Sequence, residues 1–152
     1  MPLTILVVED EVSNMQIIRL SLQALGHDVQ CAFDPESGIR MARDGDPDVI
    51  LMDMMFKGAD IDGLEAIRRL KADPATAEIP IVAQTAAVLD FTERCAVLAG
   101  AAGIIHKPFR RRQLVAAIEA AIAGEPIPDV AWHLVPMPAH VRSSPTVPGR
   151  VT

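Results

Sequence analysis

The sequence predicts an α/β fold, a parallel β-sheet with helices on both faces, on three observations. Short apolar runs alternate with segments of helical periodicity five times over. The central run, Val49-Ile50-Leu51-Met52, is apolar at every position, as a strand covered on both faces requires. That run ends in a carboxylate, Asp53, at the edge where open α/β sheets bind ligands.

Each unit can be justified in turn. Thr4-Ile5-Leu6-Val7-Val8 is a β-branched strand candidate that runs into three acids, Glu9-Asp10-Glu11. Met15, Ile18, Leu22 and Leu25 then form the stripe of an amphipathic helix that Gly26 is placed to stop. His27 to Phe33 reads as the second strand, and Asp34-Pro35 as a helix start with Asp at the N-cap. This short helix ends near Gly45, and the Asp53 strand follows. Residues 54–63 read as a loop, and Leu64 to Ala72 as a helix broken by Asp73-Pro74. Ile79 to Ala83 is the fourth strand, ending at Gln84-Thr85. Val88, Phe91, Cys95 and Leu98 predict a helix to about Gly100. Gly103-Ile104-Ile105 is a fifth strand, followed by His106-Lys107-Pro108. Leu114, Val115, Ile118, Ala121 and Ile122 predict a last helix, closed by Gly124.

A length of 152 residues suits one domain, residues 1–124, which can bury a core without disulfide staples. After Gly124 the periodicity stops. Residues 125–152 hold six prolines and read as a tail. The net charge of −6 argues against a nucleic-acid surface. Cys31 and Cys95 lack metal-ligand spacing and read as reduced core residues. No apolar stretch approaches the ~20 residues of a membrane span, and no signal peptide is visible, so a cytoplasmic setting is expected.

Parallel strands bring their carboxyl ends to one edge. Glu9, Asp10, Asp53, Thr85 and Lys107 are therefore expected to converge although they lie far apart in sequence. Crowded carboxylates repel unless a cation joins them. An all-oxygen donor set favours a hard cation, and Mg2+ fits best because it takes one or two carboxylates and often a phosphate. Lys107 and the Thr85 hydroxyl would hold the anion that completes the site. The set suggests phosphoryl transfer, with Asp53 as nucleophile. Each part alone has a plainer reading: acids at a helix N-terminus, an N-cap threonine, a solvated lysine. Their joint occurrence in this order favours one site.

With those residues in view, residues 3–123 resemble the receiver domain of two-component response regulators. The resemblance is carried by Ile5-Leu6-Val7-Val8-Glu9-Asp10-Glu11, by Asp48-Val49-Ile50-Leu51-Met52-Asp53 with Met54-Met55, and by Lys107-Pro108-Phe109. It implies a flavodoxin-like (βα)5 doubly wound sheet of strand order 2-1-3-4-5. It implies Asp53 as phosphoacceptor, Glu9 and Asp10 as the acidic pair that organises Mg2+, and the Met55 backbone carbonyl as a further metal ligand. Thr85 would be the switch hydroxyl and Lys107 the family lysine, in a cis peptide with Pro108. Phosphate would come from a histidine kinase or phosphotransfer protein in a phosphorelay. A stand-alone response regulator is implied, a signalling protein rather than an enzyme, acting on a separate protein target.

The sequence departs from the family pattern in three places. The usual proline after the acceptor strand is absent, and Gly63 follows Asp53 by ten residues, two more than usual. The longer loop is expected to carry Lys57 and Asp60 toward the metal edge. Ile104 stands where the family often has an aromatic residue. The chain has no tyrosine, so an aromatic rotamer switch there is excluded. His106 stands where an apolar residue is usual; successive strand residues face opposite sides, so it need not face the site and reads as a partly buried packing residue. The basic run Arg110-Arg111-Arg112 at the start of the last helix suggests pairing with acids of a partner or a second subunit. Val130 to Val135, with Trp132, reads either as an arm that docks on a second copy to give a homodimer or as part of a disordered tail. The competing reading is a receiver-like interaction module that takes no phosphate. An FMN-binding flavodoxin is disfavoured by the acids after strand one, and a phosphate hydrolase by the lack of a cap segment.

Overall fold

The computed structural model describes residues 2–86 and 90–128. Five strands alternate with five helices: β1 (Thr4–Val8), α1 (Val12–Gln23), β2 (Asp28–Ala32), α2 (Pro35–Gly45), β3 (Val49–Asp53), α3 (Gly63–Ala72), β4 (Ile81–Thr85), α4 (Asp90–Ala99), β5 (Gly103–His106) and α5 (Arg111–Ala123). Every strand pair is parallel. The order β2-β1-β3-β4-β5 is the expected doubly wound one. No helix among the described residues is long and apolar enough to cross a membrane.

Strand alternation divides the core in two. Leu6, Val8, Ile50, Met52, Ile81 and Ala83 face α2, α3 and α4. Ile5, Val7, Leu51 and Val82 face α1 and α5, where they meet Met15, Ile18, Leu22, Leu114 and Ile118. All five residues of β3 are buried, as its unbroken apolar run predicts. Fully burying each such aliphatic side chain contributes roughly 1.5–3 kcal/mol.

Several expectations needed correction. β4 begins at Ile81 rather than Ile79, because Pro80 has no N–H to give a ladder; its carbonyl still accepts from the Ile50 amide at 3.0 Å. Leu25 lies past the end of α1 and is 45% exposed. Of the expected α4 stripe, Val88 and the Phe91 side chain lie outside the described residues, and Cys95 is half-buried. Leu98 is 86% exposed, while the small Ala96 is fully buried. A small residue fits where α4 lies close to the sheet, and a size-weighted hydrophobic pattern overlooks it. Cys31 and Cys95 are free and only half-buried, so neither is a full core residue.

Helix starts follow their caps. The Asp34 carboxylate accepts from the Ser37 backbone N–H and from its hydroxyl, both at 2.8 Å. These two donors hold the Asp34 carboxyl below its ordinary range. A carboxyl with a lowered native value stabilises fully above its unfolded value and loses that contribution as the pH falls through the native one. Asp34→Ala is therefore expected to cost about 1 kcal/mol at neutral pH. The gap to wild type should narrow in urea titrations as the pH falls through and below the ordinary carboxylate range. A gap that persists in acid would remove the cap as its origin.

After α5 the chain reverses. Gly124 adopts φ 72° to cap the helix. Ile127 then packs against Gly103 at the start of β5, where an added Cβ would meet the Ile127 Cδ1 at 2.8 Å. Pro128 lines a small recess together with Lys107, Pro108, Phe109 and Gln113. The expected dimerisation arm, with Trp132, lies outside the described residues.

Candidate functional site

Main-chain ladders hold the site residues just past the strand ends. The Glu9 amide donates to the Ala32 carbonyl at 3.0 Å, Met54 to Gln84 at 3.0 Å, and Lys107 to Thr85 at 2.7 Å. Pairing thus continues beyond β1, β3 and β5. The residues carrying the acids and the lysine are fixed by backbone rather than left to loops.

Four of the five expected side chains, those of Glu9, Asp10, Asp53 and Lys107, converge. Carboxylate oxygens of Glu9, Asp10 and Asp53 all lie within 4.8 Å of one another. Glu9 is 1% and Asp53 4% exposed. The Lys107 Nζ donates to Glu9 Oε1 at 2.6 Å and to Asp53 Oδ2 at 3.0 Å. The other Asp53 oxygen accepts from the Met55 N–H at 3.2 Å, and the other Glu9 oxygen from the Glu11 N–H at 3.2 Å. Lys107–Pro108 is cis.

Two buried acids cannot both ionise freely beside each other. Burial pushes the Glu9 carboxyl up, hydrogen bonding with Asp53 and its charge push it further, and the Lys107 ammonium pulls it back. The result is a value of about 7. For Lys107, burial favours loss of the proton, but its hydrogen bonds to Glu9 and Asp53 and their charges outweigh that. Its ammonium is held above the usual range. The lysine therefore remains a cation between two acids. The third acid, Asp10, borders the site with no such bond to Lys107 among the described contacts. An all-oxygen cluster of this charge fits a hard divalent cation such as Mg2+.

The loop from Met54 to Asp62 closes over one side. The Lys57 backbone N–H donates to Asp10 Oδ2 at 3.0 Å. The expected approach of Lys57 to the acidic edge is thus made by its backbone. Asp62 caps α3 by accepting from the Glu65 N–H at 2.8 Å. Gly63 then passes so near the end of β3 that an added Cβ would lie 1.9 Å from the Asp53 carbonyl oxygen. Met55 is 70% exposed at the loop's start.

The remaining candidates sort by face. Thr85 is buried at the end of β4, one residue past Gln84, the register partner of Asp53. It is paired in register with His106. His106 is half-buried and, by strand alternation, faces away from the side that Lys107 takes. Ile104 is 2% exposed and packs in the core, so the position that could have carried an aromatic switch is filled by an aliphatic one.

Sequence reasoning missed Gln84. It is fully buried on the α1/α5 face of β4, and neither end of its amide has a hydrogen-bond partner among the described residues. An unsatisfied buried polar group typically costs about 1–3 kcal/mol. The available signal was a carboxamide at a position that strand alternation turns inward.

Comparisons with known proteins agree with this geometry. Residues 5–119 match the response regulator receiver domain family. The phosphate regulon transcriptional regulatory protein PhoB of Pseudomonas aeruginosa is 35% identical over 119 residues, covering 78% of this chain and 51% of that protein. The chain thus spans about half the length of this curated relative. The receiver domain of a Pseudomonas aeruginosa sensor histidine kinase, solved with a magnesium ion coordinated in its active-site cleft, superposes with a TM-score of 0.73 at 31% identity. That match covers 81% of this chain and 99% of the other. The receiver domain of NtrX from Brucella abortus gives a TM-score of 0.73 at 30% identity over 78% of this chain and 98% of that one. The doubly wound sheet, the acidic cluster bridged by Lys107 and the matched span together make this chain a member of the response regulator receiver domain family.

Proposed function

We propose that this receiver domain accepts a phosphoryl group on Asp53 in a Mg2+-dependent reaction and signals by the conformational change that follows. The observation that carries this reading is Lys107, bonded at once to Glu9 and to Asp53 beside Asp10. Glu9, Asp10, Asp53 and the Met55 carbonyl would hold Mg2+, which supplies positive charge to the oxygens of the transferring group.

The chain's own residues do the rest. An Asp53 carboxylate oxygen forms a bond to phosphorus as the bond between phosphorus and the donor breaks, the electron pair leaving with the donor atom. The Met55 N–H, already bonded to Asp53 Oδ1, orients the carboxylate. Lys107 pairs with a phosphoryl oxygen, and the Thr85 hydroxyl donates to another. Burial of Asp53 limits the approach of water from the sheet side. The donor is a histidine kinase or phosphotransfer protein in a cytoplasmic phosphorelay. The domain is then an acceptor and switch rather than an enzyme, and its output passes through a protein surface that recognises the phosphorylated state.

Intact mass after incubation with acetyl phosphate and Mg2+ tests this. Wild type is expected to gain one phosphoryl group, Asp53→Asn none, and chelator is expected to abolish the gain. A folded wild type that gains nothing would instead favour an interaction module that takes no phosphate.

A further inference from the structure

The loop that follows the acceptor grips two of the three acids through its backbone. The Met55 N–H donates to Asp53 Oδ1 at 3.2 Å, and the Lys57 N–H donates to Asp10 Oδ2 at 3.0 Å. The Met55 carbonyl lies between these two anchors along the chain. The loop's neck is closed by the Gly63 N–H, which donates to the Met54 carbonyl at 3.3 Å. Phe56 and Ile61 pack against the core cluster that faces α2, α3 and α4. Lys57 itself is exposed, and Gly58 beside it turns at φ 70°.

Asp10 is held differently from its neighbours. Glu9 and Asp53 are buried and share the Lys107 ammonium. Asp10 is half-buried, and among the described residues the donor that reaches its carboxylate is the Lys57 amide, 47 positions away in sequence. A carboxylate with one oxygen held in this way keeps its second oxygen for a cation. Hydrogen bonds of this kind orient metal ligands, and losing one typically costs roughly 10–100-fold in metal affinity. A lengthened loop also has more conformational freedom to lose, and this bond ties it to the acidic edge.

We propose that the Lys57 backbone N–H is a positioning donor of the Mg2+ site: it presets the Asp10 carboxylate and the Met55 carbonyl, so that loop closure and Mg2+ binding favour each other. This role rests on the Mg2+ reading above. Such coupling is reciprocal. The factor by which the bond raises Mg2+ affinity is the factor by which Mg2+ suppresses opening of the bond. A bond that merely shaped the loop would show neither.

Two measurements on the full-length, unphosphorylated protein test this at matched ionic strength. The first is Mg2+ affinity, followed by backbone amide shifts in NMR, for Lys57→Pro against Lys57→Ala. Both variants lose the ammonium, but only the proline variant loses the N–H. The proline variant is expected to bind Mg2+ about tenfold more weakly than the alanine variant. The second is hydrogen exchange of the Lys57 amide in wild type, which saturating Mg2+ is expected to slow by a similar factor. Equal affinities of the two folded variants, or exchange that Mg2+ leaves unchanged or quickens, would each overturn this role while leaving the metal reading in place. If Lys57→Pro does not fold, the exchange measurement decides alone. A wild type that binds no Mg2+ would overturn both together.

Discussion

Lys107→Met is expected to lower folding stability by about 3 kcal/mol at neutral pH in chelator, and by clearly less when Mg2+ is present. The lysine Nζ lies 2.6 Å from Glu9 and 3.0 Å from Asp53, both nearly inaccessible to water. Methionine keeps most of the stem's packing but removes the cation. Two buried carboxylates then face each other without compensation. Glu9 can escape by keeping a proton, since it already titrates near 7. Holding that proton costs about 1.4 kcal/mol for each pH unit above the unfolded value. The sign follows. The native carboxyl value is raised above the unfolded one, so the penalty grows as the pH rises and shrinks toward the ordinary carboxylate range. Added Mg2+ restores positive charge among the same oxygens. Urea titrations of both proteins, with chelator and with Mg2+, measure the effect. Equal losses in both conditions would mean that lost packing, not uncompensated charge, explains the variant.

The second large effect is steric. Gly63→Ala places a Cβ 1.9 Å from the Asp53 carbonyl oxygen and 2.7 Å from the Met54 Cα. These are backbone atoms of the acceptor strand and cannot rotate aside. Either α3 retreats from the sheet or the end of β3 shifts. Overpacking of this kind costs typically 1–3 kcal/mol, occasionally more, and here the upper part of that range or beyond is expected. Phosphoryl uptake should slow as well, because the displaced atoms carry Asp53. Gly58 supplies the contrast. It adopts φ +70° in open space, so Gly58→Ala meets only backbone strain of roughly 1–2 kcal/mol. A Gly63→Ala protein as stable as wild type and phosphorylated at the same rate would contradict the close approach.

The sheet and the acidic centre were legible in the sequence for a physical reason. A parallel strand buried on both faces admits little but apolar residues, so the acids at its end stand out. Topology then gathers strand ends on one edge, and no contact need be known to predict that Glu9, Asp10, Asp53 and Lys107 meet. Helix faces were less legible. Leu98 looked like a core residue and Ala96 did not, because pattern reading weighs size while close packing selects against it. Leu25 continued a stripe that the helix itself does not reach. The two-residue excess of the 54–63 loop could be counted. That the loop's Lys57 amide would seize Asp10 could not, since a backbone donor has no sequence signature. Gln84 was overlooked because Thr85 beside it had an obvious role.

The reversal after α5 has a consequence for whatever the chain carries beyond it. α5 descends from the pole of the acceptor to the opposite pole, and a chain leaving from Gly124 would start there. Instead Ile127 packs against Gly103 at the start of β5, and Pro128 lines a small recess together with Ile105, Phe109 and Gln113. The contact that turns the chain back rests on one glycine: any side chain at position 103 would dislodge Ile127 from the edge strand and redirect the chain as it leaves α5.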